Sequence, residues 1–265
     1  MYHPALAHRP VVRLREDMQG PSDMAGMKRL LRRVLWGKHG NLTSLDDPWK
    51  IIPSLLAGRE VTTLIDAGAS DGRITHRLLR AFSQATAYLF EPNPAYAGAL
   101  REYADRDPRV RPQLLALADR QGELEFYETA SRGSCSLLKP SRHLADNFPQ
   151  EASVRRVSRV PAVRLDDWAR QSALAGIEVV KLDIQGAELA ACRGGREIPQ
   201  RSTLLIYTEV WFRRLYEGGA VFAEIDQFLR ELGFVLYSLY KPKSDQRGFL
   251  SWGNALYLHA SRMGL

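Results

Sequence analysis

Two acidic residues each follow a short apolar run in the sequence, and two glycines lie close behind the first. Residues 61–65 form the first run, and Asp66 ends it. Gly68 and Gly72 follow, four residues apart. Glycine permits a tight turn and lets a ligand approach the main chain, and a helix that starts there offers free N–H groups. These residues predict a ligand-binding turn after a buried strand; a tight connection that binds nothing is the alternative.

The second acidic residue has the position expected of one that binds ribose. Residues 86–90 form the second apolar run, and Glu91 follows it, 25 residues beyond Asp66. In nucleotide-binding sheets, an acidic residue about 20 positions on hydrogen-bonds the ribose hydroxyls. The turn lacks the G-x-G-x-x-G spacing that presents N–H groups to a pyrophosphate. A ligand with an adenosine and no phosphates therefore fits better, and S-adenosylmethionine is such a ligand.

Strands and helices alternate along the chain, and this alternation must position the acidic residues. The predicted strands lie at residues 61–65, 86–90, 113–117, 177–182, 203–208, 234–239 and 255–259. Helices are expected between them, including one at 73–82 directly after the glycine turn. The predicted fold is α/β: a doubly wound, mainly parallel, Rossmann-like sheet of seven strands, with the last two as an antiparallel hairpin at one edge.

Three segments between these strands have their own patterns. Residues 122–128 alternate in polarity and predict a further strand. Residues 154–163 alternate valine and arginine, which indicates an exposed or edge strand. Residues 129–150 are polar and contain glycine and proline, so we expect a long loop over the site.

The composition is that of a soluble globular protein with a basic surface. Of 265 residues, 45% are apolar and 25% are charged, and the net charge is +7. This charge favours nucleic acid, an acidic membrane surface or an acidic substrate as partner, but a basic enzyme without such a partner fits equally well. Cys135 and Cys192 form neither a metal-binding spacing nor a disulfide framework. With no apolar run of spanning length and no signal-peptide pattern, we expect a cytoplasmic protein.

Residues 1–59 precede the predicted sheet as an N-terminal extension, and residues 60–265 form the predicted domain. Within the extension, residues 24–36 place apolar side chains on one helical face and basic side chains on the other. Such helices are typical of segments that lie on an anionic membrane, here its inner face. The alternative is a helix that packs on the core and exposes its charges to water. A second helix is expected at about 48–56.

Five motifs occur in an order that resembles a known family. They are DAGASDG at 66–72, FEPNP at 90–94, ALAD at 116–119, LDDW at 165–168 and KLDIQGAE at 181–188. Together they resemble the FkbM family of S-adenosylmethionine-dependent methyltransferases, over about residues 60–240. The resemblance implies a class I methyltransferase fold and O-methylation of sugars, glycans or polyketides.

The resemblance also implies cofactor-binding roles for residues at the strand ends. The methionine-side pocket would be shaped by Asp66, Gly68, Ala69, Ser70 and Gly72. Glu91 would hold the ribose hydroxyls through two charge-assisted hydrogen bonds. Asn93 would lie beside the adenosine, and Leu117 would pack near the adenine ring. Asp183 would face the sulfonium and the acceptor.

Two residues depart from the usual pattern of the family. Ser70 stands where the family usually has asparagine, and its hydroxyl can still donate or accept a hydrogen bond. Gln185 stands where the family commonly has glutamate, and it lacks the charge that a carboxylate would bring.

Two strand-end carboxylates are the candidates for the chemistry of methyl transfer. Asp183 and Glu209 follow the fourth and fifth predicted strands, which are neighbours in a doubly wound sheet, so we expect them close together. One hypothesis is that they bind Mg²⁺, which would acidify the acceptor hydroxyl. The rival is that one carboxylate is the base, its pKa tuned by Lys181 or by the other acid. In the structural alternatives, Asp183 only positions the methionine amino group and Glu209 pairs with Arg213.

The leading functional hypothesis is S-adenosylmethionine-dependent O-methyl transfer to a sugar or glycan hydroxyl, in surface polysaccharide or natural-product assembly. Trp211, Phe212 and Tyr216 would either stack on the sugar or cover the sheet. An RNA or protein methyltransferase is the alternative that the positive charge favours. The chain has no Asn-Pro-Pro-aromatic motif and no RNA-binding module, so we expect no specific nucleic-acid binding. A non-catalytic binding module on the same fold is a third hypothesis, and the sequence does not indicate an oligomeric state.

Overall fold

The structure is a computed structural model that describes residues 47–265. The predicted amphipathic helix at 24–36 lies outside the described residues, as does the rest of 1–46. The described part contains two β-sheets, one of seven strands and one of three. Between residues 47 and 265, no helix has the length and apolar character of a membrane span.

The strands are numbered in chain order. They are β1 (Thr63–Ala67), β2 (Thr86–Phe90), β3 (Val110–Gln113), β4 (Ala116–Leu117), β5 (Gly122–Thr129), β6 (Val154–Val163), β7 (Val179–Leu182), β8 (Leu205–Trp211), β9 (Phe234–Ser244) and β10 (Leu250–His259). The larger sheet has the order β3-β2-β1-β7-β8-β10-β9. Its strands are parallel except that β10 runs antiparallel to β8 and β9. The predicted α/β sheet of seven strands with a C-terminal hairpin at one edge is confirmed, and with it the class I methyltransferase fold.

Helices cover both faces of this sheet. They are α1 (Pro48–Leu55), α2 (Arg73–Ala81), α3 (Ala97–Arg106), α4 (Arg142–Asn147), α5 (Pro149–Ala152), α6 (Leu165–Gln171), α7 (Glu188–Gly194), α8 (Glu197–Ser202), α9 (Phe222–Glu231) and α10 (Ala260–Met263). Because side chains alternate along a strand, Leu64 enters one apolar cluster and Ile65 the other. Both faces of β1 and β7 are therefore buried, as expected for central parallel strands.

The helix α1, the first element of the described residues, packs on the larger sheet. The ring centroids of Trp49 and Tyr207 lie 4.8 Å apart. Ile52 and Leu56 are buried in the same apolar cluster as Leu64. This contact brings the start of the described chain close to the strand β8, and it leaves Trp49 half-buried.

Several predicted strand boundaries were wrong, among them those of the first and third predicted strands. The strand β1 extends to Ala67, so Asp66 lies inside it and is buried rather than ending it. The predicted third strand at 113–117 is instead two strands, because Leu115 N–H donates to the Gln113 carbonyl in a tight turn (2.8 Å). The strand β3 stops there, and β4 continues in the smaller sheet.

The smaller sheet has the order β4-β6-β5 and carries the segment that covers the site. The strand β6 is largely exposed, as predicted, but it lies at the centre of this sheet rather than at an edge. The prediction of one long loop at 129–150 was wrong in part, since α4 and the start of α5 fall within it. These helices pack on the end of the larger sheet, where the Phe148 and Trp252 rings lie 4.8 Å apart.

Candidate active site

The glycine turn after β1 packs directly on the end of β7. Gly68 has φ +70°, and a Cβ built on it would lie 1.8 Å from the Asp183 carbonyl oxygen. Gly68 N–H donates to the Phe90 carbonyl at 2.9 Å, which also ties the turn to β2. Ser70 and Gly72 likewise have positive φ, at +51° and +78°. The turn therefore needs glycine at position 68 for space as well as for conformation.

Glu91 lies at the end of β2 with its carboxylate buried in the pocket beside this turn. One carboxylate oxygen accepts Ser70 N–H and the other accepts Asn93 N–H, each at 2.9 Å. Burial raises the pKa of Glu91, and the two backbone hydrogen bonds oppose that rise. Since a carboxylate oxygen can accept more than one hydrogen bond, each oxygen keeps capacity for a ligand hydroxyl.

Asp66 and Lys181 form a buried ion pair behind the turn. The ammonium Nζ lies 3.0 Å from Asp66 Oδ1 and also donates to the Ala67 and Gly68 carbonyls, at 3.1 and 2.8 Å. Thr75 Oγ1 donates to the other Asp66 oxygen at 2.6 Å. Burial pulls the pKa of Lys181 down, but the Asp66 and Asp183 carboxylates outweigh it, so this pKa is raised. Lys181 thus stays charged and holds the backbone of the turn in place.

One pocket brings together six of the residues predicted to bind the cofactor. Glu91, Asn93, Leu117 and Asp183 all line it. Gly68 and Ser70 line it from the turn, whereas Ala69 and Gly72 line the neighbouring cleft on the other side of that turn. The enclosed volume of the pocket is about 50 Å³. The pocket is narrow because a segment of the polypeptide lies across it.

That segment contributes side chains to the pocket, two of which, Cys135 and Ser136, sequence reasoning missed. Residues 131–138, here called the cover segment, contribute Arg132, Cys135 and Ser136 to the pocket, and Phe126 reaches it from β5. The antiparallel bridge between Tyr127 and Ser136 holds the cover segment on the smaller sheet. The available signal was the polar character of 129–150, which indicated a segment over the site but not which side chains enter the pocket.

Asp183 and Glu209 lie close together, as predicted, and a glutamine amide joins them. Gln185 Nε2 donates to Asp183 Oδ1 at 3.0 Å and to Glu209 Oε2 at 2.8 Å. Glu209 is buried inside β8 rather than following its end, whereas the Asp183 side chain is 40% exposed. Burial, and then the Asp183 charge, raise the pKa of Glu209 well above its usual value. Asp183 is therefore the carboxylate that is open to a ligand.

A third carboxylate, Glu188, supports the loop between β7 and α7 from inside the protein. It accepts Ile184 N–H at 3.0 Å and Gly186 N–H at 2.9 Å, and Trp211 Nε1 lies 3.4 Å away. Burial raises its pKa to about 7. Trp211 and Tyr216 are buried, so they cover the end of the sheet rather than offering a face for a sugar.

The residues around Asp183 and Glu209 do not fit a Mg²⁺ site. Within residues 47–265, no group of three or more His, Cys, Asp or Glu side chains is placed to hold a metal ion. The position between the two carboxylates is taken by the Gln185 amide N–H groups, which are donors and cannot ligate a cation. Arg213, the partner that Glu209 would have in the structural alternative, lies over the Phe249 ring, 4.7 Å from its centroid. We therefore derive no step through a metal.

A wide cleft adjoins the pocket at the turn and at Asp183. Gly68, Ser70 and Asp183 line both spaces, and the cleft has a volume of about 1020 Å³. Its walls include Trp49 and side chains of both charges, and the basic ones are Arg73, Arg77, Arg80, Arg106 and Lys241. Two of these, Arg73 and Arg106, pair with Asp71 and Glu102, which also line the cleft. Lys241 has φ +47° and lies at an irregularity of the β9–β10 pairing. The cleft gives a larger molecule access to Asp183 without passing through the narrow pocket.

Comparison with known sequences gives one family and one curated relative. The model of the methyltransferase FkbM domain matches residues 66–236. The 2-O-methyltransferase NoeI of Sinorhizobium fredii is 33% identical over 162 residues. That match covers 58% of this chain and 65% of NoeI, so the chain spans slightly less than two thirds of this relative.

Comparison with solved structures gives distant similarities. A methyltransferase FkbM from Methylobacillus flagellatus KT has 15% sequence identity and a TM-score of 0.45, covering 75% of this chain and 44% of that one. Magnesium protoporphyrin IX methyltransferase from Synechocystis PCC 6803 has 12% identity and a TM-score of 0.44, covering 88% and 91%.

Proposed function

The chain belongs to the FkbM methyltransferase family, and from that premise we propose that it is an S-adenosylmethionine-dependent O-methyltransferase acting on a hydroxyl of a sugar or glycan. One observation carries the proposal. Glu91 and Asp183, at the ends of β2 and β7, line the same pocket, and Asp183 also lines the wide cleft. A nucleoside-binding carboxylate and a carboxylate open to an acceptor thus lie on either side of one turn.

The pocket residues fit an adenosine. Each Glu91 oxygen already accepts one backbone N–H and can accept a ribose hydroxyl as well. Leu117 and Phe126 offer apolar contact to a base, and Asn93 lies beside them. When bound, S-adenosylmethionine supplies an electrophilic methyl group. The protein supplies the alignment of that group with the acceptor, an effect worth about 7–11 kcal/mol in well-oriented reactions.

Asp183 is the residue that we assign as the base. It is the exposed member of the carboxylate pair, and it lies where pocket and cleft meet. A sugar hydroxyl is a weak nucleophile until its proton leaves, so a carboxylate within hydrogen-bonding reach assists the transfer. Burial raises the pKa of Glu209, so this carboxyl group keeps a proton more readily. It supports Asp183 through the Gln185 amide that both groups contact. Lys181 supports both from behind through its charge.

The nature of the acceptor is supported by the cleft and by the relative. The name of NoeI specifies methylation of an oxygen. The cleft, which Asp183 also lines, offers the half-buried Trp49 indole and the cations of Arg80 and Lys241. An aromatic face suits the apolar face of a sugar ring, and the cations suit a sugar that carries phosphate or carboxylate groups.

Transfer of a labelled methyl group tests this proposal. The protein is incubated with methyl-labelled S-adenosylmethionine and, separately, with neutral oligosaccharides, sugar nucleotides, total RNA and a protein mixture. We expect label in a saccharide, with the transfer lost in Glu91→Ala. Label in RNA or protein alone would contradict the saccharide assignment. Absence of S-adenosylmethionine binding at millimolar concentration would contradict the enzyme assignment and favour a binding module.

A further inference from the structure

The Gln185 side-chain amide lies between the carboxyl groups of Asp183 and Glu209. Its Nε2 is 3.0 Å from Asp183 Oδ1 and 2.8 Å from Glu209 Oε2, so each amide hydrogen has one carboxylate acceptor. We propose that Gln185 is a positioning residue that holds Asp183 and Glu209 as one unit facing the acceptor, in the role that a metal ion has where only carboxylates meet. This inference rests on the proposed function, since it gives Asp183 the orientation that a base requires.

The surroundings explain why a neutral donor is needed at this point. Glu209 and Glu188 are both buried. The negative charges of Asp183 and Glu188 both raise the pKa of Glu209. Buried charges are costly unless donors or opposite charges compensate them. Lys181 Nζ lies 4.0 Å from Asp183 Oδ2, but its hydrogens are directed to the turn and to Asp66. Gln185 therefore supplies the direct donors of the pair.

Gln185 is itself held from the opposite side. The Tyr216 hydroxyl lies 3.0 Å from Gln185 Oε1 and 3.2 Å from the Ser134 carbonyl oxygen. Ser136 Oγ donates to the Gln185 carbonyl at 2.7 Å. The backbone of Gln185 has φ +57°, a left-handed conformation that side-chain-bearing residues rarely adopt. A strained residue whose side-chain amide and backbone carbonyl are both hydrogen-bonded is typical of a site that needs a fixed geometry.

The test replaces the amide with a carboxylate of the same shape. Gln185→Glu places three carboxyl groups within contact of one point, and clustered carboxylates are ligands that hard divalent cations bind. We expect calorimetric titration with Mn²⁺ alone to show one ion bound per Gln185→Glu chain. Wild type, Gln185→Leu and the exposed-site control Gln171→Glu should show no such binding. The Leu variant keeps the volume and removes both donors.

A kinetic arm separates positioning from folding. With the acceptor found in the transfer assay, we expect Gln185→Leu to lower kcat at least tenfold with the KM for S-adenosylmethionine changed less than threefold. Gln185→Glu should show a similar loss of kcat in the presence of a chelator and should regain activity with Mn²⁺. Neither addition should change the kcat of wild type. The inference would be overturned by a near-wild-type kcat in Gln185→Leu. It would also be overturned if Gln185→Glu, with a wild-type thermal midpoint, bound no Mn²⁺. If wild type fails to bind S-adenosylhomocysteine, the proposed function itself fails.

Discussion

The proposed site has a cofactor side, at Glu91, and an acceptor side, at Asp183 and Glu209. These two sides are built from different kinds of contact. On the cofactor side, Glu91 is held by two backbone N–H groups, that of Asn93, two residues along the chain, and that of Ser70, 21 residues away. On the acceptor side, Asp183 and Glu209 are held by the side chain of Gln185. Backbone donors are present whatever the local sequence is, whereas an amide side chain is not. The cofactor side therefore follows from the fold, and the acceptor side depends on individual side chains.

This difference indicates where the protein acquires specificity. A cofactor common to many enzymes can be bound by a turn and one carboxylate. An acceptor that differs between enzymes needs groups that can change without altering the fold. Gln185, Tyr216 and Ser136 belong to this second kind, because they meet through side chains from distant parts of the chain. The two sides are nevertheless in direct contact, where Gly68 packs on the Asp183 carbonyl.

The largest effect is expected from breaking that contact. In Gly68→Ala the new methyl would lie 1.8 Å from the Asp183 carbonyl oxygen, and the φ of +70° is also unfavourable. We expect a loss of more than about 4 kcal/mol in the free energy of unfolding, or no soluble protein. Gly98→Ala is the matched control, since its methyl would meet open space in a helix; we expect a gain of about 0.5–1 kcal/mol. Urea unfolding measures both, and equal stabilities would refute the packing.

The next effect sharpens the acceptor side through pH. Burial raises the pKa of Glu188 from 4.5 to about 7, so the folded protein keeps a proton that the unfolded chain loses. This contribution to stability is full below about pH 4.5 and is lost as the pH rises through 7. Relative to Glu188→Gln, which does not titrate, wild type should lose up to about 3 kcal/mol between pH 4.5 and 8. Denaturant unfolding at both pH values measures this, and parallel pH dependence of the two proteins would contradict it.

A third prediction weakens the cofactor side. Glu91→Ala removes a buried acceptor and leaves the N–H groups of Ser70 and Asn93 without it. With hydrogen bonds to charged groups worth about 1.5–3 kcal/mol, we expect binding of S-adenosylhomocysteine to weaken about tenfold or more. The exposed Glu60→Ala serves as control and should bind as wild type does. Calorimetric titration measures the affinity, and an unaltered dissociation constant would remove Glu91 from the pocket assignment.

The smallest effect concerns the cleft. Lys241 lines it, whereas the nearby exposed Lys243 lies outside its wall. Because exposed charges contribute roughly 0.2–1 kcal/mol, we expect Lys241→Ala to raise the KM for an anionic saccharide two- to fivefold. Lys243→Ala should leave that KM unchanged, and neither variant should alter the KM for S-adenosylmethionine. Equal effects of the two substitutions would mean that the acceptor does not use this cleft.

The sequence predicted those features that depend on local pattern. Alternating strands and helices gave the seven-stranded sheet and its hairpin, and the spacing of Asp66, Gly68 and Glu91 located the turn and the end of β2. These patterns suffice because the exits of parallel strands lie along one edge of the sheet. The pocket position of Leu117 was also expected from the motif, although its strand proved to be part of the smaller sheet.

The rest depends on contacts between distant segments, which no local pattern shows. Ser136 and Gln185 are 49 residues apart, and Tyr216 and Gln185 are 31 apart. The polarity of 129–150 indicated a loop but could not reveal that α4 would pack on Trp211 and Leu215. Lys181 lies 4.0 Å from Asp183, near the proposed reaction, but the sequence could not show that Asp66 and two backbone carbonyls of the turn also surround its ammonium.

The position of the cover segment has a consequence for how a nucleoside enters and leaves the pocket. The space that it encloses, about 50 Å³, is small beside the roughly 300–1,000 Å³ of typical ligand pockets. We therefore expect residues 131–138 to move when a nucleoside enters or leaves, and this movement would break the Ser136–Gln185 hydrogen bond. Release of the nucleoside would then also disturb Gln185, so turnover by the proposed methyltransferase should slow in viscous solvent.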